Sequence, residues 1–201
     1  MKIKSLLSPL IIFAMLSWAI ASPEAFGEAF PGSSPAALSR DEEGRQYFTD
    51  LKVISHEGKE YRFFTDLLKE KTVLISFFYT QCPTAQMSLV TLFKLQKLLG
   101  PQLGTDVHLL SMSVDPERDH VKAVQEYAAK FNPQKGWLFL TGKKENMEVI
   151  NSKLGNRSAL PEAHIQVFLL GNLKTGHWMR LPESAHAFSV SEGLRSLASE
   201  K

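Results

Sequence analysis

The chain has 201 residues, 44% hydrophobic and 22% charged, which excludes a disordered chain and a membrane bundle and allows one well-packed core rather than two. Its formal charge is +2, and Lys2 and Lys4 account for it: beyond residue 21 there are 21 basic and 21 acidic residues. A balanced body offers no surplus of Lys and Arg for phosphate, so nucleic acid is excluded as a partner.

Lys2 and Lys4 precede an apolar run from Leu6 to Ile20, broken by Ser8, Pro9 and Ser17, and Ala19-Ile20-Ala21 supplies small residues before Ser22-Pro23. This reads as a secretory signal peptide over 1–21, cleaved after Ala21. An uncleaved anchor is the alternative, but about 15 apolar residues fall short of the roughly 20 that a spanning helix needs. The expected location is outside the cytoplasm, the periplasm if the source is bacterial. Contact with a membrane would come only through a partner or an uncleaved signal.

Residues 22–44 are rich in Pro, Gly, Ser, Ala and Glu without a sustained period, and read as a flexible tether. The domain is expected over 45–201. Val53 to Phe63 holds two short extended segments around Ser55-His56-Glu57-Gly58, a hairpin, and Thr65-Asp66 opens a short helix reaching Glu70. Thr72 to Tyr79 is β-branched and aromatic throughout, the pattern of a strand buried on both faces. Pro83 to Leu99 follows a helical period with its proline in the first turn.

Val107 to Val114 repeats the buried-strand pattern, and Asp119 precedes a helix running through Val121, Val124, Tyr127, Ala128 and Phe131. Gly136 to Leu140 is a strand and Lys144 to Leu154 a helix. Ile165 to Leu170 and Trp178 to Leu181 form a hairpin around Gly171-Asn172-Leu173-Lys174. Ser189 and Glu192 form a capping box for the last helix. The expected fold class is α/β and thioredoxin-like: a central mixed sheet flanked by helices, with an N-terminal hairpin.

The chain's one cysteine, Cys82, stands between a buried strand and a long helix, in Phe77-Phe78-Tyr79-Thr80-Gln81-Cys82-Pro83-Thr84-Ala85-Gln86. No intramolecular disulfide can form, so an exported thiol here is buried and inert, a metal ligand, or reactive towards another molecule. The strand end and the helix N-terminus favour an anion, which lowers the pKa expected of the thiol.

That segment resembles the SCO/SenC family's aromatic-Tyr-Thr-x-Cys-Pro run, and Ser113-Val114-Asp115-Pro116-Glu117-Arg118-Asp119 is similar to the family's signature residue for residue. Leu140-Thr141-Gly142 and the strand opened by His164 fall at matching places. The likeness runs from Tyr47 to Lys201. It implies an exported metallochaperone for copper and for cytochrome c oxidase assembly, a copper chaperone or assembly factor rather than an enzyme, with some redox activity in the family. Its partner would be an oxidase subunit or another copper-accepting protein.

Carried over by position, the resemblance makes Cys82 and His164 copper ligands, whereas the family's second cysteine, four residues after the first, is Gln86 here. An amide is a poor ligand for soft copper, so Gln86 is a weak or vestigial third ligand and copper binding is weakened. Met87 and Met112 read as core fillers rather than thioether ligands. Pro161-Glu162-Ala163 stands before His164 where the family has an Asp, and Glu162 is the candidate to orient the imidazole.

Two other readings stay open: a single-cysteine protein that forms mixed disulfides through Cys82, and a non-catalytic interaction module. A one-cysteine peroxidase has little support, because the peroxiredoxin Thr and Pro positions hold Tyr79 and Ile75. Asp115 and Asp119 read as turn and N-cap residues. His56, His108, His120, His177 and His186 are scattered without H-x-x-x-H spacing, so a zinc hydrolase is unsupported. Asn156-Arg157-Ser158 fits a glycosylation sequon, a frequent chance match.

Overall fold

A computed structural model describes residues 39–82, 85–158 and 160–200, with Ala85 and Gln86 described by backbone alone. The expected signal peptide, residues 22–38 of the expected tether, Pro83 and the Gln86 side chain lie outside the described residues.

Helix α1 (Arg40–Phe48) opens inside the stretch expected to be a tether. Ser39 accepts from the Glu42 amide, and the Glu42 carboxylate accepts in return from Ser39, a complete capping box. Strands β1 (Lys52–Ser55) and β2 (Glu60–Arg62) form the N-terminal hairpin. The next turn, Phe63–Leu68, starts two residues earlier than expected and is π-helical. Asp66 accepts from the Arg62 amide at 2.7 Å, and Asp50 accepts from the Thr65 amide at 2.8 Å, so two carboxylates hold its N-terminal groups.

Strand β3 (Thr72–Phe78) is buried at all seven positions, as a continuous apolar run demands. It is followed by α2 (Ala85–Leu99), β4 (Val107–Ser113), α3 (Val121–Ala129), β5 (Trp137–Thr141) and α4 (Lys144–Lys153). Strands β6 (Val167–Asn172) and β7 (His177–Pro182) and helix α5 (Ala187–Ser199) complete the chain. The sheet order is β2-β1-β5-β4-β3-β6-β7, with β3, β4 and β5 parallel and the other pairs antiparallel. The fold is thioredoxin-like, with the expected mixed sheet between two layers of helices.

One face of the sheet packs on α2, α3 and α5 through Leu89, Leu92, Tyr127, Leu194 and their neighbours. The other packs on α1, α4 and the π-helical turn through Phe48, Phe63, Met147 and Ile150. Each such fully buried side chain contributes roughly 1.5–3 kcal/mol relative to exposure. Polar atoms inside are paired across strands: Ser76 and Ser111 hydroxyls lie 3.0 Å apart, and Trp137 Nε1 donates to Ser111 Oγ at 3.0 Å.

Three local expectations are corrected. The β6–β7 turn is Leu173–Gly176 rather than Gly171–Lys174. Gly171 belongs to β6, where the Trp178 ring passes so close that a Cβ would meet it at 2.6 Å, and Gly176 supplies the positive φ. Helix α5 opens at Ala187, so Ser189 lies inside it and forms no cap; Glu192 pairs with Arg195 at 2.8 Å instead. The last strand pair begins at Val167, which leaves His164 in a loop rather than opening a strand. Among the described residues no helix is long and apolar enough to cross a membrane.

Candidate functional site

The central strand β3 delivers Phe78 and Tyr79 to the edge of the sheet where the parallel strands end, and the chain turns there before α2. In that turn the Cys82 amide donates to the Tyr79 carbonyl at 3.1 Å, folding the thiol back over the strand end. Cys82 is 6% exposed and packs with the cluster beneath α2, α3 and α5. The Tyr79 hydroxyl donates to the Cys82 sulfur, and this bond is the largest influence pushing the phenol pKa up to about 12.

His164 meets the same tyrosine. Pro161–Ala163 forms one 3-10 turn, which Pro161 starts without needing an N–H. His164 Nδ1 lies 2.7 Å from the Pro161 carbonyl oxygen. A carbonyl can only accept, so Nδ1 carries the hydrogen and Nε2 of the neutral ring keeps its lone pair. The imidazole is 8% exposed and meets the Tyr79 ring edge to face, centroids 6.0 Å apart at 86°. Tyr79 thus touches both Cys82 and His164, and two residues 82 apart in sequence share one aromatic neighbour.

Asp119 lies behind the thiol turn, fully buried. It accepts from the Thr80 amide at 3.0 Å, the Thr80 hydroxyl at 2.6 Å and the Ser113 hydroxyl at 2.7 Å. Burial raises its pKa despite these bonds. The N-cap of α3 is His120, exposed, whose Nδ1 accepts from the Ala123 amide; Asp119 serves the strand ends instead of the helix. Asp115 is clasped by Arg118, which also reaches Glu162 at 4.0 Å. Tyr127 stacks on Phe78, centroids 5.6 Å apart, and burial first, then the nearby Cys82 and Asp119, push its pKa up to about 12.

Several expected site residues are placed elsewhere. Glu162 is 63% exposed in its side chain and faces Arg118, so the Pro161 carbonyl rather than a carboxylate orients the imidazole. Met112 is buried on the opposite face of the sheet from Cys82, as a core filler should be. Met87 is not a core filler: it is 76% exposed in the first turn of α2. Asn156 is 4% exposed with its Oδ1 bound to the Ile165 amide, which removes it as a glycosylation acceptor.

Among the described residues no three His, Cys, Asp or Glu side chains come together as metal ligands. A cleft of 820 Å³ adjoins the imidazole through Pro161 and is walled by Asp115, Arg118, Lys144, Asn151 and Asn156. Tyr79 and Asn156 were not legible as site residues. The first stands in the motif run before Cys82, but nothing in the run gives it contact with His164, and the second is masked by a glycosylation pattern that its burial contradicts.

A family model described as SCO1/SenC matches residues 40–159. The chain is 33% identical over 101 residues to Protein SCO1 homolog 1, mitochondrial, of Arabidopsis thaliana, covering 50% of this chain and 29% of that protein. It spans no more than about half the length of the curated relatives it matches. Among solved structures it is similar to a SCO1/SenC family lipoprotein from Bacillus anthracis, with TM-score 0.63 and 21% identity over 74% of this chain and 93% of that one. It is also similar to ScoI of Bradyrhizobium japonicum with copper bound, with TM-score 0.60 and 20% identity over 73% and 96% of the two chains.

Proposed function

The chain belongs to the SCO1/SenC family, and from that membership we propose that it is an exported protein handling copper for cytochrome c oxidase assembly, through a site reduced to Cys82 and His164. The observation that supports this reading is that Tyr79 touches both residues, Cys82 through its hydroxyl and His164 through its ring. A copper-bound relative of the same fold supports the choice of metal.

The chemistry follows from the donor set. A thiolate suits Cu(I), and a neutral imidazole with Nδ1 protonated offers Nε2 as a second donor. Gln86 stands where the resemblance puts a second thiolate, so copper is held here by fewer soft donors. Copper is the cargo rather than a resident group. With two protein donors, the remaining coordination positions fall to the client, whose own thiolate or imidazole enters there and takes the metal. A reduced donor set favours release over storage.

Anaerobic Cu(I) titration of the reduced protein against a competing chelator tests this, beside Cys82→Ala and His164→Ala. Stoichiometric binding that both substitutions weaken, the thiol substitution by at least 100-fold and the imidazole by on the order of 10-fold, supports it. Indifference of all three proteins to copper removes copper handling by this chain. The single thiol would then be pursued through its mixed disulfides with exported clients.

A further inference from the structure

The two arms of the site are joined behind the sheet edge by a run of buried and part-buried hydrogen bonds that converge on Ser113. From the thiol side, the Thr80 amide donates to Asp119, and Asp119 accepts the Ser113 hydroxyl at 2.7 Å. From the imidazole side, the Ile165 amide, next to His164, donates to Asn156 Oδ1 at 3.2 Å. The Asn156 amide donates to the Asn151 carbonyl at 2.9 Å, and Asn151 Nδ2 donates to the Ser113 carbonyl at 2.9 Å. Ser113 ends β4, which pairs with β3 along its whole length, so the hub is as rigid as the sheet.

We propose that Asn156 is a positioning residue for His164, holding the imidazole in register with Cys82 through Asn151 and Ser113. The proposal rests on reading Cys82 and His164 as a pair. Asn156 and Asn151 are 4% and 6% exposed, so neither side chain has water as an easy substitute for its partner. Beyond the Tyr79 contact and the bond from the Glu183 amide to the Gln166 carbonyl, the described contacts of the loop that carries His164 are local or exposed. Its 3-10 turn closes on itself through the Leu160 and Pro161 carbonyls, and its ion pair, Glu162 with Arg118, is exposed and 4.0 Å long. Asn156 Oδ1 is the side-chain atom that ties this loop to the end of α4. Loss of that acceptor should let the imidazole swing while the thiol stays in place.

The experiment uses the reduced full chain with Asn156→Ala and Asn156→Asp, the second keeping an acceptor oxygen at the same position. Three quantities are read without metal: the ring ¹⁵N signals of His164, hydrogen exchange of the Ile165 amide, and alkylation of Cys82. Asn156→Ala is expected to speed Ile165 exchange at least 10-fold, on the order of a lost buried hydrogen bond. It should also average the His164 signals between tautomers and leave Cys82 alkylation unchanged, while Asn156→Asp keeps all three near wild type. Cu(I) binding by Asn156→Ala should fall about 10-fold, as losses of outer partners of a ligand do.

Wild-type His164 and Ile165 behaviour in Asn156→Ala overturns the proposal. So does loss of the His164 signature in a folded Asn156→Asp, which decides the matter if the alanine variant does not fold. If the metal-free signals respond as expected while the wild type ignores copper, the positioning role stands and the copper reading falls.

Discussion

Cys82 follows a strand whose seven residues are all buried and paired with β4, four of them also with β6, whereas His164 sits in a loop between α4 and β6, held by a handful of polar contacts. The thiol turn is bonded back to Tyr79 at the end of β3, where Leu74, Phe77 and Phe78 are fully buried and each contributes a few kcal/mol. Moving the imidazole means breaking bonds worth about 1 kcal/mol apiece. The difference makes Cys82 the fixed post of the proposed site and His164 the arm that yields. On the proposed reading, in which copper is passed on to a client, that asymmetry is useful: the arm that yields opens the site while the post keeps hold.

The largest expected effect comes from attacking the post. Asp119→Ala leaves the Thr80 amide, the Thr80 hydroxyl and the Ser113 hydroxyl without their acceptor in a fully buried place. A loss of about 2–3 kcal/mol in urea unfolding is expected, because buried unsatisfied donors carry most of their desolvation cost. A loss under about 1 kcal/mol, with the Thr80 amide still protected from exchange, would mean that apolar packing alone holds the thiol turn.

A smaller, pH-dependent effect belongs to the arm. The Glu183 amide donates to the Gln166 carbonyl at 3.2 Å, two residues past His164, while the Glu183 carboxyl is pushed up to about 7 by burial, with Oε1 lacking a partner. Between 4.5 and about 7 the folded chain keeps this proton and the unfolded chain has lost it, so stability falls as pH rises through that window. Glu183→Gln removes the dependence. It should match wild type near pH 4 and exceed it by about 1–2 kcal/mol at pH 8, a range reduced for the partial exposure of the group. Equal pH profiles would show that the carboxyl finds solvent, and that this loop contributes nothing titratable to the arm.

The same asymmetry governs what can be read from sequence. Strand β3, its parallel partners and Cys82 at the strand end are written in apolar runs and turn residues, and the structure places them within a residue or two. The imidazole arm is written in single polar contacts. Nothing in Asn156-Arg157-Ser158 distinguishes a glycosylation site from a buried acceptor until burial is known. Glu162 reads as the partner of His164 because it is acidic and two residues away, but the carbonyl of Pro161, one residue before it, has the right geometry. The cap of α1 lies in Ser39 and Glu42, within a stretch whose Pro- and Gly-rich composition reads as a tether. Period and burial reveal elements; which polar atom faces which is a property of the folded chain.

The smallest effect is the most discriminating, because Tyr79 touches both donors with different parts. Tyr79→Phe keeps the ring against the imidazole and removes the hydroxyl that donates to the Cys82 sulfur. Stability should change by no more than about 1 kcal/mol, the net worth of one hydrogen bond. A donor on sulfur favours its anionic form, so alkylation of Cys82 at pH 7 should slow about threefold. The ring signals of His164 should not move, since the edge-to-face contact survives. If alkylation and the His164 signals change together, the phenol couples post and arm directly and they are not independently held. If only the thiol responds, the two arms are separable, and the link between them lies behind the sheet edge at Ser113.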